Sequence, residues 1–227
     1  MSRIDELQKN LIEIQSQIKS ACETSGRNFD EITLIAVSKT WPASDIRLLH
    51  QLGVRDFGES RDQEATMKVS ELADLDITWH FIGQVQTNKL NHIASYANVV
   101  HALDREKTIS GLDVAAAKLD RNITGLLQIS LDGDENRGGV AIENAFELAQ
   151  LLSNSKNLTF GGIMAVAPIE MLPDVAFSKL AEIAAEIQSK YPTAKIISAG
   201  MSQDFESAVQ KGATHLRIGS ALLGNRE

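Results

Sequence analysis

Ile32-Thr33-Leu34-Ile35-Ala36-Val37-Ser38-Lys39-Thr40 is the stretch that decides the fold. Leu34 to Val37 are four consecutive apolar residues, and the run leads through Ser38 into a lysine. A short apolar run bounded by polar residues reads as a strand buried on both faces, the kind found in parallel sheets. A lysine at its end must reach solvent, meet an anion or lose its proton. Burial depresses a lysine's pKa, and the neutral amine forms Schiff bases with carbonyls. Lys39 is therefore a candidate carrier of an aldehyde. A strand-end lysine pointing to water would have the same local sequence.

The chain has 227 residues, 43% of them hydrophobic and 23% charged, as in an ordinary globular protein with a sizeable core. The formal net charge of -8 argues against broad binding to nucleic acid or anionic membranes, yet leaves room for a local basic pocket. Cys22 is the single cysteine and cannot form an intrachain disulfide, which suits a reducing compartment. The N-terminal residues are charged and amphipathic rather than signal-like, and no run is long enough to span a bilayer. A cytoplasmic protein is expected.

Outward from the first strand, the pattern repeats. Before it, Ile4, Leu7, Leu11, Ile14 and Ile18 form one apolar helix stripe over residues 3–22. After it, Pro42 opens a helix through Leu52. Further strands are read at Val54–Phe57, Ile77–Ile82, Asn98–Leu103, Gly125–Leu131, Leu158–Val166, Lys195–Ser198 and Thr214–Ile218. Helical patterns separate them, and Gly200-Met201-Ser202 and Gly219-Ser220 open the last two helices. Eight strand–helix units preceded by one extra helix predict a parallel sheet closed into a single (β/α)8 barrel spanning residues 1–227. An open doubly wound sheet is the alternative architecture.

Barrels place their chemistry at the C-terminal ends of the strands. Those ends carry Lys39, Glu59-Ser60, Gly83, the loop Asp132 to Gly139, Met164, Gly200-Met201-Ser202 and Arg217-Ile218-Gly219-Ser220. Ser202 and Ser220 each sit beside a glycine at an expected helix start. Unpaired N–H groups and the helix dipole suit a phosphate there, and barrels often hold one after strands seven and eight. Ordinary helix caps would read the same way. Arg217, between Leu216 and Ile218, should pair with a carboxylate or reach a ligand. Asp132, Asp134, Asn136 and Glu143 have the spacing of a calcium loop, but Arg137 occupies the position that needs glycine. The five histidines have no metal-ligand spacing, and His80, between Trp79 and Phe81, reads as a satisfied core residue.

Ala36-Val37-Ser38-Lys39-Thr40, Phe57-Gly58-Glu59, Trp79-His80-Phe81-Ile82-Gly83, Gly162-Ile163-Met164, Gly200-Met201-Ser202 and Leu216-Arg217-Ile218-Gly219 occur in an order that resembles the pyridoxal phosphate homeostasis proteins. These share a barrel with the N-terminal domain of alanine racemase. The resemblance implies pyridoxal 5'-phosphate held as an aldimine on Lys39. It matches Ser202, Gly219 and Ser220 to phosphate contacts, Arg217 to the pyridine nitrogen and Met164 to the ring. Ser60 replaces the asparagine usual in the family. The loop after the third strand begins with Gln84 rather than proline, and Arg137 replaces a lysine.

The resemblance also implies carriage or buffering of the cofactor without turnover, with apo-enzymes that use it as recipients. A monomer is the expected state, since barrel packing accounts for the apolar faces. Two other functions fit the residues. One is a weak amino-acid racemase, although neither Tyr96 nor Tyr191 lies at a strand's C-terminal end to supply a second base. The other is a Schiff-base aldolase without a cofactor.

Overall fold

A computed structural model describes residues 2–134 and 137–224. Its centre is a closed, all-parallel barrel in sequence order: β1 (Thr33–Val37), β2 (Asp56–Glu59), β3 (Thr78–Phe81), β4 (Val99–Leu103), β5 (Ile123–Gln128), β6 (Leu158–Met164), β7 (Ile196–Ser198) and β8 (His215–Ile218). The barrel closes where Ile35 stands opposite Arg217 and Ala36 opposite Ile218. Around it run α2 (Ala43–Gln51), α3 (Asp62–Glu71), α4 (Leu90–Tyr96), α5 (Glu106–Lys118), α6 (Ile142–Ser153), α7 (Pro173–Lys190), α8 (Phe205–Gln210) and α9 (Ser220–Leu223). The expected (β/α)8 barrel is therefore the observed one.

The extra helix α1 (Arg3–Ser25) begins at a reciprocal cap between Ser2 and Asp5 and ends at left-handed Gly26. Leu7, Leu11, Ile14 and Ile18 are its buried stripe. They pack it against α8 and α9. Arg3 joins the start of the chain to its end, donating to Asp45 Oδ2 at 2.7 Å and to the Leu223 carbonyl at 2.8 Å.

Element boundaries shift by a few residues from expectation: β5 runs Ile123–Gln128 rather than Gly125–Leu131, and three further shifts have a clear structural origin. β2 begins at Asp56 and includes Glu59, because pairing with β1 and β3 sets its register, not the apolar run. The helical pattern between the third and fourth strands reads from about Asn88 to Ala97, but the helix begins at Leu90, after a 3-10 turn over Thr87–Lys89. The helix expected at Ser202 begins at Phe205, so Ser202 is not a helix cap. Gly200, with φ +89, must turn there, and a Cβ would lie 2.7 Å from that of Ala208.

The barrel interior is not the usual filling of branched apolar side chains. His80, His101, Ser198 and Arg217 are buried and bonded to one another along it, as described below. The β1–β2 side of the wall holds a second buried polar cluster. Lys68 of α3 donates to the Ser38 carbonyl, Glu59 Oε1 and Glu64 Oε1, each at 2.7 Å. Ser38 Oγ donates to Glu59 Oε1 at 2.7 Å. The Thr40 N–H donates to Glu64 Oε1. Thr40 has φ +66, a left-handed conformation that a β-branched residue adopts only when its surroundings impose it. Both neighbours of Lys39 are thus pinned by one ion cluster.

Burial raises the Glu59 carboxyl above its ordinary range, with the Lys68 ammonium opposing. Its Oε2 is buried without a hydrogen-bond partner among the described residues. Lys68→Met should cost about 3 kcal/mol, the scale of a broken buried ion pair. The sign follows from linkage. A carboxyl whose folded pKa lies above its unfolded value favours folding most when protonated, and that contribution fades as pH rises. Loss of Lys68 widens the gap, so urea melts should show a larger deficit at pH 8 than at pH 5. A pH-independent deficit would exclude Glu59 as its source.

Candidate functional site

A cavity of about 530 Å3 opens at the C-terminal end of the barrel. β1 and the turn after it contribute Val37, Lys39 and Trp41. The β7 end contributes Met201, Ser202, Gln203 and Asp204. β8 and the start of α9 contribute Arg217, Gly219 and Ser220. Lys39, Ser202, Arg217, Gly219 and Ser220 were each singled out in the sequence, and all line this one cavity. Their convergence is a consequence of barrel closure, which sets residues 35–36 against 217–218.

Lys39 is exposed on the cavity wall rather than buried, so burial is not what fits it to its place. Ser202 acts as a brace between loops: its Oγ accepts from the Ala221 N–H of α9 at 3.2 Å. Asp204 Oδ1 accepts from the Met201 N–H at 2.6 Å and holds the turn. Trp41 lies under the Arg3 guanidinium, 4.7 Å from ring centroid to Cζ.

Arg217 is buried yet reaches the cavity. Its Nη1 donates to Ser198 Oγ at 2.6 Å and its Nη2 to the Ala165 carbonyl at 2.9 Å. Neither partner is a carboxylate, so the ion pair that its sequence context allowed is replaced by neutral acceptors. Burial pushes the guanidinium down to about 10, with Asp204 acting the other way, and it stays charged at neutral pH.

Two expected site residues lie outside this cavity. Ser60 lines a separate hollow with Arg61, Gln84 and Lys89. The Gly83 backbone presses against it, and a Cβ there would sit 2.2 Å from the Ser60 carbonyl oxygen. Met164 is buried at the end of β6, opposite Ser198 of β7. Arg137, in the loop after β5, ties that loop together by pairing with Asp132 at 3.0 Å and donating to the Ala167 carbonyl at 3.1 Å. Asn136 of the calcium-like spacing lies outside the described residues.

Trp41, Asp204 and Ser198 were missed. Trp41 stands two residues from Lys39 and was legible by proximity. Ser198 carried no local signal, because only the β7 register aims it at Arg217. Chemically, the cavity offers an amine able to add to a carbonyl, a donor-only guanidinium, and hydroxyls with backbone N–H groups suited to an oxyanion.

A family profile described as alanine racemase, N-terminal domain, matches residues 9–227. The pyridoxal phosphate homeostasis protein of Mycobacterium leprae is 38% identical, covering 98% of this chain and 93% of that relative. PipY of Synechococcus elongatus, solved with pyridoxal phosphate bound, is 34% identical with a TM-score of 0.85, covering 96% of this chain and 100% of PipY. An alanine racemase of Clostridium difficile shares the fold alone, at 15% identity and a TM-score of 0.72, covering 98% of this chain and 57% of the racemase. Similarity of this extent along nearly the whole sequence means that the chain belongs to the pyridoxal phosphate homeostasis protein family, on the barrel of the alanine racemase N-terminal domain.

Proposed function

We propose that this protein binds pyridoxal 5'-phosphate through an aldimine on Lys39 and carries or buffers it inside the cell without turnover. The observation that carries this reading is the convergence of Lys39, Arg217, Ser202, Gly219 and Ser220 on one cavity. The relatives' names and the cofactor in PipY support it. The donor set fits the group. The Lys39 amine condenses with the aldehyde and releases water. Arg217 has only donors, which suits an unprotonated pyridine nitrogen as acceptor. Ser202, Ser220 and the N–H groups beside Gly219 suit the phosphate.

Met164 and Ser60, which do not line the cavity, stay in the proposal through neighbours that reach it. Met164 precedes Ala165, whose carbonyl holds Arg217. Ser60 lies against Gly83, next to Ile82, and Ile82 lines the main cavity.

Two features favour carriage over turnover. A donor-only partner leaves the ring nitrogen neutral and weakens the electron sink that amino-acid chemistry on this cofactor exploits. Racemisation also needs acid–base groups on both faces. Neither tyrosine lines the cavity. The Tyr96 hydroxyl is buried without a partner among the described residues, and burial drives its pKa upward. Asp204 is the specific observation that favours a second reading, a weak racemase working with Lys39. In the favoured reading the carrier is a monomer, and its recipients are apo-enzymes that require the cofactor.

Protein mixed with pyridoxal phosphate should gain an imine band between about 300 and 500 nm. Borohydride reduction followed by peptide mapping should place the pyridoxyl group on Lys39. Lys39→Ala should fold and lose the band, whereas a full band in that variant would reject the lysine assignment. A protein that gains no band but is trapped with a phosphorylated carbonyl substrate would be a Schiff-base aldolase. Incubation of the loaded protein with a panel of amino acids in deuterium oxide should leave their α-protons unexchanged. Exchange that Asp204→Asn abolishes would establish the racemase instead.

A further inference from the structure

A single file of hydrogen bonds crosses the barrel interior from the entrance of β2 to Arg217. Asp56, the first residue of β2, keeps its side chain 28% exposed and accepts from or shares a proton with His80 Nε2 at 2.9 Å. His80 Nδ1 meets His101 Nε2 at 2.9 Å. His101 Nδ1 meets Ser198 Oγ at 2.9 Å. Ser198 Oγ accepts from Arg217 Nη1 at 2.6 Å. The two imidazoles and the serine are buried.

Donor and acceptor inventory gives this file a direction. Arg217 can only donate, so Ser198 Oγ accepts and has one hydrogen left to give to His101 Nδ1. At the other end an ionised Asp56 can only accept, so His80 carries its hydrogen on Nε2. His80 Nδ1 is then an acceptor and takes the hydrogen on His101 Nε2. The two ends meet with no mismatch when both imidazoles are neutral Nε2–H tautomers. An additional proton on His80 would turn His101 around and strand the Ser198 hydrogen in a buried site.

We propose that Asp56, His80, His101 and Ser198 are positioning residues that hold Arg217 in one orientation and polarise it from the opposite end of the barrel. This rests on the pyridoxal phosphate reading, since Arg217 is the group proposed to face the ring nitrogen. Charge at each end, with neutral links between, makes the file a rigid strut rather than a reservoir of protons. The groups packed beside it agree. His101 is held well below its ordinary range by burial, with His80, Arg217 and His215 adding. The His215 ring lies 6.3 Å from that of His80, and burial pushes it down to about 4.

The first test needs no cofactor. Side-chain 15N spectra of the unloaded protein at pH 7.5 should show His80 and His101 protonated on Nε2 and bare on Nδ1. An Nδ1–H tautomer or a doubly protonated ring at either position overturns the file. In Ser198→Ala, His101 should lose its single tautomer while His80 keeps its own.

The second test reads the cofactor. Ser198→Ala should weaken pyridoxal phosphate affinity about tenfold and shift its absorbance maximum, the scale of one lost charge-assisted hydrogen bond. Asp56→Asn keeps an acceptor but removes the charge, and should shift the band in the same direction with a loss of about threefold. Val114→Ser, on the exposed face of α5, should do neither. If Asp56→Asn folds and matches the parent in spectrum and affinity, the remote positioning role is wrong. If the parent protein itself binds no pyridoxal phosphate, the functional reading fails while the nitrogen spectra still decide the file.

Discussion

The pairing of β8 with β1 is the constraint on which the site depends. It closes the sheet, and its register places Ile35 beside Arg217. Both strands run the same way, so their C-terminal continuations, Lys39 on one and Gly219-Ser220 on the other, arrive at the same mouth. These residues are about 180 positions apart in the chain. An open sheet would separate its first and last strands and leave an amine on one edge and a phosphate-like rim on the other. Arg3, clasping both Asp45 and the Leu223 carbonyl, reinforces the same closure from the outside.

Closure also creates an interior that must be filled, and here it is filled with polar groups. A buried polar atom is costly unless it is bonded, so these residues fit only as complete sets. The file from Asp56 to Arg217 satisfies its members end to end. The Lys68 cluster comes close to doing so, with Glu59 Oε2 left over. Each set ends next to a cavity residue, one at Arg217 and the other on both sides of Lys39. Apolar packing of similar volume would serve stability as well or better. What the polar sets add is orientation, since hydrogen bonds fix a guanidinium or a peptide turn in a way that dispersion does not.

The cavity has two different kinds of wall. Lys39 stands on a turn pinned by ions, whereas the opposing loop is shaped by Gly200, by Asp204 on the Met201 amide and by Ser202 on the Ala221 amide. The basic groups, Lys39 and Arg217, sit at or just beyond strand ends, and the small polar ones sit on the loop after β7 and at the start of α9. That division suits a ligand bound at one end through a carbonyl and at the other through an oxyanion. It also leaves Asp204 as the carboxylate among the cavity's described lining residues, in a turn whose amide it already serves.

Periodicity pointed to a parallel barrel and left an open doubly wound sheet as the alternative, and pairing of β8 with β1 decided between them. Eight apolar runs, each followed by a helical stripe, have few other ways to bury their surface, and local pattern carries that information. Strand-end position singled out Lys39, Ser202, Arg217 and Gly219-Ser220 as candidates, because a parallel barrel sends every such end to one face. Sequence placed the start of β2 two residues early and opened a helix at Ser202, since register and loop bracing are set by neighbours distant in the chain. Only the tertiary structure decided that Lys39 is exposed, that Ser60 and Met164 stand outside the cavity, and that Ser198 holds Arg217. His80 is the satisfied core histidine that its sequence context suggested, and the structure adds its partners, Asp56 and His101. A hydrogen bond depends on where two side chains meet across strands, and residues 56, 80, 101, 198 and 217 acquire that relation only when the barrel closes around them.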